Sequence, residues 1–205
     1  MRLKSVFTLF IFLSFSRFIF AFDTVTSLPI PDKVEICEQN ILLNRYDMRE
    51  RYDREQTVIV YQHATSLLIM KRAHRFFPVI EPILKKYGIP DDFKYLAVIE
   101  SSLDPRAQSP ASAAGLWQLM PKTAEQFGLE VNEEVDERYH IEKSTEAACK
   151  YLKNAYNKYQ NWSNVAVSYN AGMGRISGEI EKQNKEDAFD LYQNTESSRY
   201  MFRIM

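Results

Sequence analysis

The residues able to do chemistry in this sequence gather around one carboxylate. Phe93, Leu96, Ala97 and Glu100 fall at i, i+3, i+4 and i+7 of a helical repeat, so Glu100 shares a helix face with three apolar groups. Tyr95, Val98 and Ile99 make the other faces apolar as well, which predicts a helix buried nearly all round. A carboxyl group near the end of such a helix is partly desolvated, and desolvation favours the protonated form that a general acid needs near neutral pH. The next carboxylate, Asp104, precedes Pro105 and reads as the closure of an Asp-Pro turn. His63, His74 and His140 have no metal-ligand spacing with one another or with the cysteines, so no metal and no cofactor is expected.

The elements that must position Glu100 are predominantly helical. Ile89-Pro90-Asp91-Asp92 opens its helix, with two acids at the positive end of the dipole. Upstream, residues 22–34 carry Pro29 and Pro31 and read as an irregular leader. Tyr46 to Arg75 holds no Pro or Gly and predicts one long supporting helix, and Pro78 and Gly88 bracket a second with Lys85 and Lys86 in its last turn. Downstream, Ser109-Pro110 marks a turn, and Gly115 to Pro121 reads as extended or irregular; an extended run would put Leu116, Gln118 and Met120 on one side. A short helix then runs to Gly128. Ser144 is a candidate cap for a helix with core positions Ala148, Tyr151, Leu152, Ala155 and Tyr159. Ser163 is a candidate cap for a shorter helix broken at Gly172, and Thr195 for a last one carrying Tyr200, Met201 and Ile204.

The chain has 205 residues with 45% hydrophobic and 13% aromatic content, enough for one well-buried domain. Sparse Gly and Pro and the lack of any repeat exclude collagenous and solenoid classes. Arg2 and Lys4, the apolar run from Val6 to Phe15 and the end at Ala21 read as a secretory signal over residues 1–21, interrupted by Ser14, Ser16 and Arg17 before it is long enough to span a membrane. Its removal deletes three cations and no acid, taking the formal charge from -1 to -4. No extended basic face is present, so a nucleic-acid partner is not expected, and the mature chain is expected to carry no transmembrane helix. Cys37 and Cys149 are too far apart in sequence for spacing to decide whether they are bridged.

Taken together, Glu100-Ser101, Ser109-Pro110, the run Gly115-Leu116-Trp117-Gln118-Leu119-Met120-Pro121 and Tyr169-Asn170-Ala171-Gly172 resemble, in order and spacing, the motifs of the soluble lytic transglycosylases. Any one dipeptide is uninformative; the ordered set is specific. The resemblance covers about residues 78–205, leaving 22–77 as leader and supporting helical segment. It implies a mainly α, lysozyme-like (α+β) domain with a small hairpin or extended segment. It also implies an exported, cell-envelope or periplasmic lyase acting on peptidoglycan glycan strands.

By the same resemblance Glu100 is the catalytic acid and base. It would protonate the oxygen between N-acetylmuramic acid and N-acetylglucosamine, then accept the proton of the muramic C6 hydroxyl as a 1,6-anhydro ring closes. Ser109 matches a hydroxyl near the acetamido or C6 region, Gln118 an amide that contacts sugar, and Met120 a residue lining the cleft. Tyr169 matches a phenol beside the catalytic carboxylate. Asn170 and Glu196 complete the expected substrate-binding set, Asn170 with the brace of the Gly172 break as its preferred role, and Glu196 together with Tyr200 as a closing motif or equally as a solvated acid at the helix start after Thr195. Ser112 stands where members of the family usually have glycine; if that backbone has positive φ, a side chain costs stability. Two rival readings stand beside the lyase: a muramidase-type hydrolase, which needs a second carboxylate such as Asp104, and a glycan-binding scaffold without activity.

Overall fold

The computed structural model of the chain describes residues 28–191 and 195–205, with the side chains of residues 195, 196 and 198 excepted. The expected signal segment lies outside the described residues. The first elements are two short strands, β1 (Lys33–Ile36) and β2 (Gln39–Leu42), paired antiparallel with Val34 opposite Ile41 and Ile36 opposite Gln39. The leader reading of residues 22–34 is therefore corrected from Lys33 onward. The turn between the strands is Cys37-Glu38, with φ of 50° and 62°, the two left-handed positions of a tight hairpin, filled here without the Asn or Gly that normally announces one. The Cys37 N–H donates to Asp92 Oδ2 at 2.7 Å and fastens the turn to the start of the Glu100 helix.

Two long helices come next, α1 (Tyr46–Tyr61) and α2 (His63–Tyr87). The break falls at Gln62 (φ -91°, ψ 52°), and not at Pro78 as expected. Helix α2 runs through both Pro78 and Pro82. Each proline removes one N–H from the ladder, but Phe76, Ile80 and Leu84 form a buried stripe, and its packing outweighs the local penalty. Gly88 ends α2 in the left-handed conformation (φ 66°), with its N–H turned back to Leu84 and Lys85 carbonyls.

A single 3-10 turn, Asp91–Phe93, leads into α3 (Lys94–Ser101), which carries Glu100. Phe93, Leu96 and Ala97 are buried as the periodicity requires, but Tyr95 is exposed and Val98 and Ile99 are half-buried. The prediction of a helix buried all round thus holds on one side only. After the loops of residues 102–120 come α4 (Pro121–Gln126), with proline at its first position, and α5 (Ile141–Tyr159). His140 caps α5, and Ser144 instead lies inside the first turn with its hydroxyl donated to the Ile141 carbonyl. Likewise Asn161, and not Ser163, caps α6 (Trp162–Ala171), accepting from the Asn164 N–H. Both corrections share a cause: a side chain a few residues earlier already satisfies the free N–H groups.

Helices α7 (Met173–Gln183) and α8 (Thr195–Ile204) complete the chain. Helix α6 is the hub, packed on α5, α7 and α8, while α2 lies along α5 and α8 closes against α1 and α3. Leu96, Trp117, Leu152, Val165, Val167, Ile176 and Tyr200 form the centre of the resulting core. Cys37 and Cys149 are both buried and unbridged.

Candidate active site

Glu100 is the penultimate residue of α3 and is half-buried. The helix ends just beyond it in a strained turn: Ser102 and Leu103 both have positive φ (52° and 56°), and their N–H groups close back on Val98 and Ala97. Arg72 of α2 clamps this turn, donating to the Ser102 carbonyl at 2.9 Å and to Asp104 Oδ2 at 3.1 Å. The other Asp104 oxygen accepts the Arg106 N–H. Asp104 thus closes its turn, as the Asp-Pro pair suggests.

The group that meets Glu100 is Tyr200 of α8, whose phenol donates to Glu100 Oε1 at 2.6 Å. Tyr169, expected in that role, gives its proton to the Trp117 carbonyl at 2.7 Å. Both phenols are held well above the ordinary tyrosine range, by burial first and by the charge of Glu100 second, so both remain protonated donors at any working pH. Tyr169 is accordingly close to the carboxylate without being its hydrogen-bond partner. Sequence reasoning assigns Tyr200 to the core pattern of the last helix and to a closing motif with Glu196, and nothing in the local spacing links a residue 100 positions away to Glu100.

Of the two expectations for Gly115–Pro121, extended or irregular, the backbone takes the irregular one, a compact turn in which Ala114 bridges both Gln108 and Leu119. Gln118 has φ 47°, which breaks the alternation: Leu116 is buried and Met120 is 44% exposed. The turn is fastened on three sides. Ser101 of α3 donates to the Leu116 carbonyl, Tyr169 of α6 to that of Trp117, and the buried Trp117 indole donates to Thr145 of α5 at 2.8 Å. Gln118 Nε2 donates to the Ala107 and Gly115 carbonyls, so both hydrogens of the amide hold the loop.

Beneath the loop lies Arg138, a residue that sequence reasoning does not single out. It is 5% exposed, paired with Asp136 through two nitrogens, and donates to the Ser112 and Leu119 carbonyls. That pairing holds the Asp136 carboxyl below the usual range. Ser112 has φ 68°, so the residue that departs from the family's glycine does occupy a left-handed position.

An open groove runs beside this loop, lined by Gln118, Met120, Tyr151, Tyr169, Asn170 and Gly172 among others. Four of the expected substrate-binding residues are thereby brought together. Asn170 also accepts a hydrogen bond from Ser197 at 3.3 Å, tying α6 to α8. Ser109 is not among the groove-lining residues; its Oγ accepts the Ala113 N–H at 3.0 Å and closes the loop of residues 109–113. Glu196 belongs to the first turn of α8, and its side chain lies outside the described residues. Among the described residues no group of three or more His, Cys, Asp or Glu is placed to hold a metal ion.

Known proteins share part of this sequence and fold. Membrane-bound lytic murein transglycosylase D of Escherichia coli K12 is 31% identical over 157 residues, which is 76% of this chain and 31% of that protein. Membrane-bound lytic murein transglycosylase C of Photorhabdus laumondii is 30% identical over 65% of this chain and 46% of its own length. This chain therefore spans less than half of either relative. Among solved structures, the 70-kDa soluble lytic transglycosylase of Escherichia coli superposes with a TM-score of 0.55 at 17% identity, over 75% of this chain and 29% of that one. An inactive Glu→Gln variant of lytic transglycosylase Slt from Pseudomonas aeruginosa gives 0.54 at 20% identity, over 78% and 27%. These likenesses establish the mainly helical, lysozyme-like fold. With the transglycosylase SLT domain matched over residues 78–192, more than half its length, the chain belongs to the SLT transglycosylase family.

Proposed function

We propose that this protein is a peptidoglycan lytic transglycosylase that cleaves the bond between N-acetylmuramic acid and N-acetylglucosamine, with Glu100 as its acid and base. The carrying observation is the hydrogen bond from Tyr200 to Glu100 Oε1, which holds the carboxyl group close to Tyr169, a residue that lines the groove. In the first step protonated Glu100 gives its proton to the glycosidic oxygen as the bond from that oxygen to C1 breaks. The carboxylate so formed then takes the proton of the muramic C6 hydroxyl, whose oxygen closes on C1 as the 1,6-anhydro ring. Glu100 ends the cycle protonated, as it began, and no water is consumed. An internal hydroxyl replaces a bound water at high effective molarity, so one carboxylate suffices. The substrate's own acetamido oxygen meets the developing positive charge at C1.

The engagement of Asp104 with Arg72 and the Arg106 N–H favours the lyase over a hydrolase, since the nearest carboxylate in sequence is not poised to activate water. Gln118, Met120, Tyr169 and Asn170 are proposed to line the sugar-binding groove. Export to the cell envelope, directed by residues 1–21, completes the reading; among the described residues no helix is long and apolar enough to cross a membrane. The test is digestion of purified cell wall with mass analysis of the released fragments. Anhydromuramoyl ends, lost by about 100-fold or more in Glu100→Gln with wall binding retained, support the proposal. Reducing ends indicate a muramidase, and wall binding without release by the unaltered protein indicates a scaffold.

A further inference from the structure

The junction of α1 and α2 is unlike the rest of the surface. Residues 56–70, which cross the break at Gln62, include no Asp, Glu, Lys or Arg. From Thr57 to Arg75 no residue is buried. Yet Val58, Ile59, Tyr61, Leu67, Leu68 and Met70 are all exposed, Leu68 at 52% and Met70 at 61%. Leu67 to Met70 occupy four successive helical positions, so the apolar surface runs round α2 and does not form a stripe facing the core. A helical turn apolar on every side favours an apolar surrounding, and this tip extends beyond the domain's own core.

The charges that flank the tip indicate which surrounding. Arg51 and Arg54 lie on the α1 side, Lys71 and Arg75 on the α2 side. The acids nearby are Glu50, Asp53 and Glu55, and Glu55 is engaged with Arg199 of α8, so four cations stand against two further acids. Arg72 is likewise engaged, with Asp104. The remainder is an uncharged apolar tip with a basic excess at its shoulders, the combination that partitions into the interface of an anionic bilayer. Tyr61 and His63, edge to face at the turn, supply amphipathic rings suited to headgroup depth. A second copy is the poorer occupant, because apposed tips would bring basic shoulder against basic shoulder.

We infer that residues 56–70 form a membrane-interface anchor, with Leu67, Leu68, Met70 and Ile59 among the acyl chains and Arg54, Lys71 and Arg75 at anionic phosphates. None of these residues lines the groove beside the Gly115–Met120 loop, so the inference stands apart from the proposed activity. The test is co-sedimentation of the full chain, and of the chain from Phe22 onward, which keeps every described element, with phosphatidylglycerol vesicles and with phosphatidylcholine vesicles. Both chains should sediment with the anionic vesicles. In the shorter chain, Leu67→Glu with Leu68→Glu should weaken binding at least about tenfold, and Lys71→Glu with Arg75→Glu should weaken it in a salt-dependent way. Unchanged circular dichroism and wall-digesting activity in both double variants confirm that the fold is intact. The inference is overturned if the shorter chain binds neither vesicle, if the leucine variants bind as the parent does, or if light scattering without lipid shows a dimer that those variants dissociate.

Discussion

Tyr200 on α8 donates its phenolic proton to Oε1 of Glu100 on α3 at 2.6 Å, joining positions 100 residues apart. A hydrogen bond to a carboxyl group that is charged for part of the cycle contributes about 1.5–3 kcal/mol. Tyr200→Phe removes that oxygen while keeping the ring in the core. The expected result is a fall in kcat of about 10- to 100-fold, with KM for wall fragments nearly unchanged and the far-ultraviolet spectrum preserved. A rate equal to that of the parent would remove the phenol from the mechanism.

Tyr169→Phe should behave differently. Its hydroxyl holds the Trp117 carbonyl, so its loss loosens the loop that carries Gln118 and Met120. The variant is expected to lose about 1–3 kcal/mol of stability, because the buried carbonyl is left unsatisfied, and to show a raised KM alongside any fall in kcat. Urea titration together with steady-state rates on wall fragments separates the two tyrosines: Tyr200 acts on turnover, Tyr169 on loop order.

The contrast shows where sequence reading succeeds. The helix that carries Glu100 is legible because Phe93, Leu96 and Ala97 repeat along one face and because it has a strong start signal; both are local. The helices from α3 onward are legible for the same reason, apart from caps that shift by a few residues. Tyr200, Arg138 and the hairpin are not. Tyr200 meets Glu100 only through the packing of α8, Arg138 acts on carbonyls of a loop far away in sequence, and Cys37-Glu38 makes a left-handed turn from residues with no preference for it. Helix α2 runs through Pro78 because tertiary packing overrides propensity, which no window of local sequence reveals.

Ser112 offers a stabilising change. It lies at φ 68°, where a non-glycine residue costs about 1–2 kcal/mol, and glycine there adds about 0.4–1 kcal/mol of unfolded-state entropy in opposition. Ser112→Gly leaves the backbone carbonyl that accepts from Arg138 in place. A net gain of about 0.5–1 kcal/mol is expected, read as a higher denaturation midpoint with unchanged m-value. A lower midpoint would mean that the Ser112 side chain stabilises the loop in some further way.

Gly115 is the opposite case. A Cβ at this position would overlap the Arg138 carbonyl, and φ is 78°. Gly115→Ala must displace the arginine that holds the Ser112 and Leu119 carbonyls, so a loss of about 3 kcal/mol or more is expected. Arg138→Lys should reproduce much of that loss, since an ammonium cannot match the paired contact with Asp136 while also reaching both carbonyls. Thermal melts of both variants check this; a melting temperature within about 2 °C of the parent for either would contradict the role assigned to Arg138.

The two thiols predict how stability responds to alkali. Burial, reinforced for Cys37 by Asp92 and Glu38 and for Cys149 by Glu146, pushes each from an ordinary 9.0 to about 12. Below pH 9.0 both states of the protein keep these protons, and the full contribution of the buried thiols is present. As the pH rises toward 12 the unfolded chain releases them first and binds fewer protons than the native one, so stability falls. Tyr151, pushed to about 12 by burial, adds to the loss above its ordinary 10.0. Urea midpoints measured at about pH 8 and about pH 9.7 should therefore drop in the parent, while the double variant Cys37→Ala with Cys149→Ala starts lower, from the cavities it creates, but drops less. Native protein should also resist alkylation by iodoacetamide at about pH 8 and react at both positions only after denaturation. Rapid labelling of either cysteine in the folded state, or an equal drop in the double variant, would show that burial of these thiols is not what makes the fold sensitive to alkali.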